Sequence, residues 1–274
     1  MHISIVNWFL IVFVGVIAGC AQTPGTSGDP GNSTALSRIV SKGALILGTA
    51  GDMPPMSMTT RDKQVIGYDI DLGVRIADSM GVKLEIKVMP FPELLPALQS
   101  GQVDLILSGM TITSERNLNV AFSGPYMVSG KCILTKEEKL ADADDPSDIN
   151  RADIKLAVLK GSTSESFVKT LIPNAQTIAS DNVNEVVDAV LKNRANALIA
   201  DYPTCVVSML RYPDQGLISV LSLLTQEPLG IALPGDALFI NWMDNFLHNM
   251  SATGHLEELK SKWFEDDSWL TKLP

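Results

Sequence analysis

Ser108-Gly109-Met110-Thr111-Ile112-Thr113-Ser114-Glu115-Arg116 decides how this chain is read. It follows an apolar run, Val103-Asp104-Leu105-Ile106-Leu107, which has the length and composition of a short buried strand. Thr113-Ser114-Glu115-Arg116 then has the small polar opening of a helix. A strand therefore ends in hydroxyls, a glycine and backbone N–H groups, with one arginine a turn further on. Ligands of open α/β sheets sit at strand C-termini. N–H groups at a helix start draw anions, and a guanidinium fork matches a carboxylate with two parallel hydrogen bonds. Taken alone, the stretch reads equally well as a solvated turn with a surface arginine, so its neighbours carry the decision.

Outward from it, strands and helices alternate. Ala35–Lys42 predicts a short helix and Ala44–Thr49 a buried strand. Ala50–Met56, with Gly51 and the Pro54-Pro55 pair, predicts an irregular loop, again at a strand C-terminus. Gln64–Tyr68 reads as extended. Asp69–Met80 reads as a helix with Leu72, Ile76, Ala77 and Met80 on one face, and Val82–Val88 as an alternating strand. Phe91–Leu98 reads as a helix with Pro92 near its start. Pro125–Gly130 breaks the rhythm, and Lys136–Asp148 predicts a charged loop. A second series follows: strands at 131–135, 154–159, 175–179 and 196–200, and helices at 165–171, 182–192 and 202–210. Leu229–Leu233 predicts a last strand, and helix is expected from Asp236 on, with Trp242, Phe246, Leu247 and Met250 spaced for burial. The fold class is α/β. Two such series suggest two lobes with two chain crossings, near 128–132 and 229–233, although a single larger sheet fits the same periodicity.

The chain has 274 residues and a formal net charge of −10, which argues against a nucleic-acid partner. Residues 1–19 are almost wholly apolar and end in Ile17-Ala18-Gly19 before Cys20. This resembles the lipobox of bacterial lipoproteins, with cleavage before Cys20 and a lipid carried on it; a plain N-terminal membrane anchor is the rival. Residues 20–37 are expected to form a flexible tether, rich in Gly, Pro, Ser and Thr up to Thr34. Cys132 and Cys205 have no metal-site spacing; in an oxidising compartment they pair, or they stand as two buried thiols.

Four strand ends carry polar groups: Ala50–Met56, Ser108–Arg116, Gly161-Ser162-Thr163, and Asp201. Asp201 closes an apolar strand and so needs a partner, or it caps the helix that follows. A fixed cation, a fixed anion and two hydroxyl-bearing turns together match a zwitterion, its carboxylate on Arg116 and its ammonium on Asp201.

The stretches G-T-A-G-D-M-P-P-M (48–56), G-Y-D-I-D-L (67–72) and F-P-E-L-L-P-A-L-Q-S-G-Q-V-D-L-I-L-S-G-M-T-I-T-S-E-R (91–116) resemble the bacterial solute-binding proteins for polar amino acids, the extracytoplasmic receptors of ABC importers. The resemblance covers residues 38–266. It implies a two-lobed periplasmic-binding-protein-like fold of type II with two hinge strands: residues 38–129 with 231–274 as one lobe, and 130–230 as the other. It also implies that Arg116 clamps an α-carboxylate, helped by Ser108, Thr111 and the backbone near Gly109. Gly161, Ser162 and Thr163 complete that site, Asp201 takes the α-ammonium and Phe91 packs on the ligand side chain. Ala50 and Met53 stand where relatives carry acidic or aromatic residues, which favours a neutral over a cationic ligand. Asp52 compensates or merely turns the chain; Met53 and Met56 line the pocket or fill the core. The implied protein is an exported, lipid-anchored monomer that serves a membrane permease and needs no cofactor or metal.

Cyclohexadienyl dehydratases, which act on prephenate or arogenate, are similar too, at T-A-G-D (49–52), Gly130-Lys131 and Asp181-Asn182-Val183. Dehydration needs a general acid. Ala189 aligns with the glutamate of such enzymes, and Glu185 and Asp188 are expected to point elsewhere, so binding without turnover is the leading expectation.

Overall fold

Leu105 and Ile106, in the apolar run that leads into the deciding stretch, are fully buried and form a two-residue strand. Asp104 is tolerated beside them because its carboxylate accepts the N–H of Ile46, within the neighbouring strand, at 2.9 Å. The computed structural model describes residues 34–143, 145–220 and 225–274. The expected leader, Cys20 and all of the tether before Thr34 lie outside the described residues.

Thirteen strands are described: β1 (Ala44–Thr49), β2 (Asp52–Met53), β3 (Ser57–Thr59), β4 (Val65–Ile66), β5 (Lys83–Val88), β6 (Leu105–Ile106), β7 (Ala121–Ser129), β8 (Lys131–Thr135), β9 (Lys155–Leu159), β10 (Gln176–Ser180), β11 (Ala197–Asp201), β12 (Ile218–Val220) and β13 (Glu227–Leu233). They form two five-stranded sheets, ordered β5-β1-β6-β13-β7 and β10-β9-β11-β8-β12, and one small sheet, β2-β3-β4. β5, β1 and β6 run parallel, as do β10, β9 and β11. β13 and β8 run antiparallel to their neighbours. The alternative of one larger sheet is thereby excluded. The chain passes from the first sheet to the second at Gly130, between β7 and β8, and returns between β12 and β13.

Two expectations need correction and a third needs refinement. Ala50–Met56 is not wholly irregular, because Asp52 and Met53 pair with Met58 and Ser57. Pro125–Gly130 does break the alternation of strands and helices, since β7 runs into β8 with no helix between, but the stretch is itself strand: Pro125 lies inside nine-residue β7, where the ladder to β13 is interrupted near Gly230, a place that tolerates a residue without an N–H. Residues 136–148 contain two one-turn helices, Glu138–Ala141 and Pro146–Ile149, the second closed by an Asp145/Asp148 capping box.

Helix Tyr68–Met80 buries Leu72, Ile76 and Ala77, and helix Phe91–Gln99 buries Leu94, Ala97 and Leu98. Each fully buried leucine or isoleucine stabilises by about 1.5–3 kcal/mol. Helices Ala237–Ala252 and His255–Phe264 return to the first sheet: one packs on β7 and the other on helix Tyr68–Met80. There Asp71 accepts from Trp263 Nε1 at 2.8 Å and from Lys262 Nζ at 2.5 Å. Phe239, Met243, Leu247 and Met250 form the buried face. Trp242 and Phe246 are only half-buried and stack on each other at 5.5 Å between ring centroids. Cys132 and Cys205 are joined in a disulfide that pins helix Tyr202–Arg211 to β8. No described helix is long and apolar enough to cross a membrane.

Candidate functional site

Both main sheets present their strand C-termini to the same cleft. On the first sheet, β6 runs into Ser108 and Gly109. Ser108, buried, accepts the N–H of Ala50 at 3.0 Å, tying the ends of β1 and β6 together. Gly109 adopts φ +56°, and a Cβ there would lie 2.0 Å from the terminal methyl of Met53. The left-handed backbone favours glycine here, and any side chain would have to displace the flexible end of Met53. Thr113 caps the short helix Ser114–Asn117 by accepting the N–H of Arg116 at 3.1 Å. Arg116 is then aimed by three contacts. It donates to the carbonyl of Thr111 at 2.7 Å and to that of Gly161 at 3.1 Å, and its guanidinium lies 5.7 Å from the centroid of the Phe91 ring. Burial pulls the Arg116 pKa down, and the charges of Asp201, Glu227 and Glu115 oppose that pull. It remains a cation.

On the second sheet, β9 runs into Gly161-Ser162-Thr163. Ser162 caps helix Thr163–Leu171 by accepting the N–H of Glu165, and Glu165 in turn accepts the N–H of Gly161 at 2.8 Å. Ser162 and the Gly161 amide are thus engaged within the turn itself. Asp201 stands at the N-cap position of helix Tyr202–Arg211 but makes no capping hydrogen bond. Its carboxylate instead meets Lys131 Nζ at 2.6 Å.

Lys131 is the principal residue that sequence reasoning left without a role. It opens β8 and is fully buried. Its ammonium donates to Asp201 and to the Thr163 hydroxyl, each at 2.6 Å, and lies 3.5 Å from Glu227. Glu227, at the start of β13, accepts from Thr163 at 3.1 Å and from Thr225 at 2.8 Å. Burial would raise the Glu227 pKa, but Lys131 and the hydroxyls of Thr225, Thr111 and Thr163 outweigh it and hold the group below its ordinary value. Thr111 therefore serves Arg116 through its carbonyl and Glu227 through its hydroxyl. The signal for both missed residues was present, since each charge heads an apolar strand and must find a partner.

The site thus gathers Arg116, Phe91, Thr111, Gly161, Thr163, Lys131, Asp201 and Glu227. A cleft of about 490 Å³ opens along it, lined by Arg116, Gly161, Ser162 and Thr163 together with Thr113, Glu115 and Glu165. Of the other expected members, Ser108 and the Gly109 amide are engaged within the first sheet's turn, by Ala50 and by Asp69, and Asp52 and Met53 stand apart. Asp52 accepts the N–H of Val183 at 2.7 Å, at the start of helix Val183–Leu191, and its other oxygen is buried without a partner among the described residues. Burial raises the Asp52 pKa against the hydrogen bonds from Val183 and from its own backbone. Met53 is buried beneath Gly109, and both Met53 and Met56 belong to the core of the first sheet. Ala189 is buried as well, Glu185 is exposed and Asp188 pairs with Lys192, so helix Val183–Leu191 brings no acid to the cleft. No group of histidine, cysteine, aspartate or glutamate among the described residues could hold a metal.

Two sheets that share one cleft, joined by two passages of chain, define the two-lobed class of extracytoplasmic binding proteins. The model of the bacterial extracellular solute-binding proteins, family 3, matches residues 45–266, and the chain belongs to that family. It is 26% identical over 235 residues to the cyclohexadienyl dehydratase of Pseudomonas aeruginosa, covering 84% of this chain and 86% of that protein. It is 29% identical over 261 residues to an arginine-binding extracellular protein of Bacillus subtilis, covering 94% and 98%. Among solved structures, an ancestral amino acid-binding protein, a precursor of cyclohexadienyl dehydratase, superposes with a TM-score of 0.77 at 36% identity. It covers 84% of this chain and 100% of that one.

Proposed function

We propose that this chain binds the zwitterionic end of a free α-amino acid and delivers it to an ABC importer, without turning it over. The observation that carries this reading is the charge arrangement across the cleft. Arg116 offers a cation to a carboxylate. Opposite it, one ammonium, Lys131, sits between two carboxylates, Asp201 and Glu227, leaving that cluster one negative charge in excess. An α-ammonium completes it. Asp201 is the most exposed member of the cluster, its side chain keeping 17% exposure against 9% for Glu227 and 1% for Lys131, so it is the one proposed to meet the α-ammonium.

Arg116 stands on the first sheet's side, Asp201 and Thr163 on the second's, so a ligand that engages both favours closure through its differential contacts. The lobes are taken as 38–129 with 231–274, and 130–230, the return crossing running through the start of β13, where Glu227–Leu229 already pair with β7 of the first sheet. A neutral ligand is favoured because Asp52 is committed to Val183 and Ala50 supplies no charge near β1. In this reading the protein is a lipid-anchored monomer outside the cytoplasmic membrane, held through Cys20, and its closed form docks on a permease.

The relative in Pseudomonas aeruginosa supports a second reading, a dehydratase on the same fold. It needs a general acid in the cleft, and neither Ala189 nor its helix supplies one. A thermal-shift titration with the twenty L-amino acids, prephenate and arogenate separates the two. A ligand that binds only the native state raises the midpoint as its concentration passes the dissociation constant. A shift with one or a few amino acids supports transport; consumption of prephenate or arogenate overturns it.

A further inference from the structure

Asp69, in the G-Y-D-I-D-L stretch, is a carboxylate with no solvent exposure that the binding account leaves without a task. It is the second residue of helix Tyr68–Met80, and that helix start is fixed from below. Tyr68 N–H donates to the Pro55 carbonyl and Asp69 N–H to the Met56 carbonyl, each at 2.9 Å. The two carboxylate oxygens are divided between two other elements. Oδ2 accepts the N–H of Gly109 at 2.7 Å, and Oδ1 accepts the O–H of Tyr126 at 2.8 Å. Gly109 is the left-handed residue of the turn that leads to Thr111, whose carbonyl holds Arg116. Tyr126 lies on β7, three residues before the strand ends at Ser129 and the chain passes to the second sheet.

We propose that Asp69 is the positioning residue of the Gly109–Arg116 turn, and that proton uptake by this one buried carboxylate reorganises the turn and its link to β7. The inference deepens the reading of Arg116 as the carboxylate clamp and rests on it for its functional meaning.

The chemistry is specific. An ionised carboxylate accepts from both donors at once. A carboxylic acid must donate from one oxygen, so Tyr126 has to turn from donor to acceptor, and Gly109 N–H keeps only an uncharged acceptor. Charge-assisted hydrogen bonds are roughly twice as strong as neutral ones, so the turn is held tightest when Asp69 is ionised. The balance lies near neutrality. Burial raises the Asp69 pKa to about 7 against the hydrogen bonds of Tyr126 and Gly109, which lower it.

The groups facing Asp69 do not titrate in that range. Tyr126 on β7 is pushed well above its ordinary value, by burial first and by the charge of Asp69 second. Tyr68, stacked on Tyr126 at 5.9 Å, is raised by burial, by Asp69 and by Glu257 of helix His255–Phe264. The turn contributes only the Gly109 amide.

The test uses the full chain with no added ligand. The Gly109 amide and the Arg116 Nε–H are followed by ¹⁵N NMR from pH 5 to pH 9. Both are expected to titrate with one midpoint near 7. Asp69→Asn, which mimics the protonated form, is expected to fold and to flatten both curves. Tyr126→Phe removes a donor that favours the ionised form, so it is expected to move the shared midpoint up by about half a pH unit or more. Flat curves in the parent, curves unchanged in Asp69→Asn, or a Gly109 titration that Arg116 does not follow would each overturn the proposal. Because no ligand is present, failure of the carboxylate-clamp reading shows separately, as normal amino-acid binding by Arg116→Ala.

Discussion

The ammonium of Lys131 lies 2.6 Å from the carboxylate of Asp201, at the meeting of β8 and β11. These two residues are register partners on adjacent antiparallel strands, so the backbone ladder itself sets the ion pair. Asp201 is therefore neither an idle helix cap nor an isolated anion. It is one arm of a buried cluster whose other arm, Glu227, belongs to the first sheet.

Lys131→Met is expected to destabilise the protein by about 3–5 kcal/mol, since it leaves two carboxylates buried without their cation. Urea denaturation at pH 7 checks this. A loss under about 1 kcal/mol would mean that the cluster is better solvated than its burial indicates.

Glu227 gives a pH signature. Its pKa is held below the ordinary value of 4.5 in the folded chain, so its contribution is present above that value and is lost as pH falls through the folded pKa. The stability gap between parent and Glu227→Gln is expected to shrink steadily on acidification below pH 4.5. A gap that widens in acid would reverse the sign assigned to Glu227.

Removing the Cys132–Cys205 bond, by reduction or by Cys205→Ala, is expected to cost about 2–4 kcal/mol, from the entropy of closing a long loop. The bond also pins the helix that Asp201 opens, so ligand affinity is expected to fall with stability. Unchanged affinity in the reduced but folded protein would separate the disulfide from the site.

Asp52→Ala removes the hydrogen bond from Val183 and also relieves a buried oxygen that has no partner among the described residues. The two effects oppose each other, so stability is expected to change by less than about 1 kcal/mol. The contact joins the small β2-β3-β4 sheet to the second sheet's helix, so its loss is expected to ease opening and speed ligand release several-fold. Stopped-flow dissociation measures this, and an unchanged rate would show that the contact does not resist opening.

The α/β class and most elements were legible because apolar periodicity and the caps at Thr113, Ser162 and Asn182 agree with the packing. Arg116, Thr163 and Asp201 were legible as polar groups at strand ends. What escaped depended on cross-strand register: nothing local says that Lys131 faces Asp201, or that Glu227 joins them. The break in alternation at Pro125–Gly130 was legible, but not that Pro125 sits inside a strand, because only the interrupted ladder to β13 makes room for it. Asp52 drew attention as a possible ligand group, whereas its carboxylate is committed to a helix start distant in sequence.

The most direct measurement is calorimetric titration with the amino acid that gives the largest thermal shift, set beside its analogue lacking the α-amino group, for the parent and for Arg116→Ala. The account expects the analogue to bind about 100-fold more weakly to the parent, as losing a charged hydrogen bond against buried carboxylates implies, and it expects no measurable binding of either by Arg116→Ala. Equal affinity for the two compounds, or near-normal binding by Arg116→Ala, would contradict it.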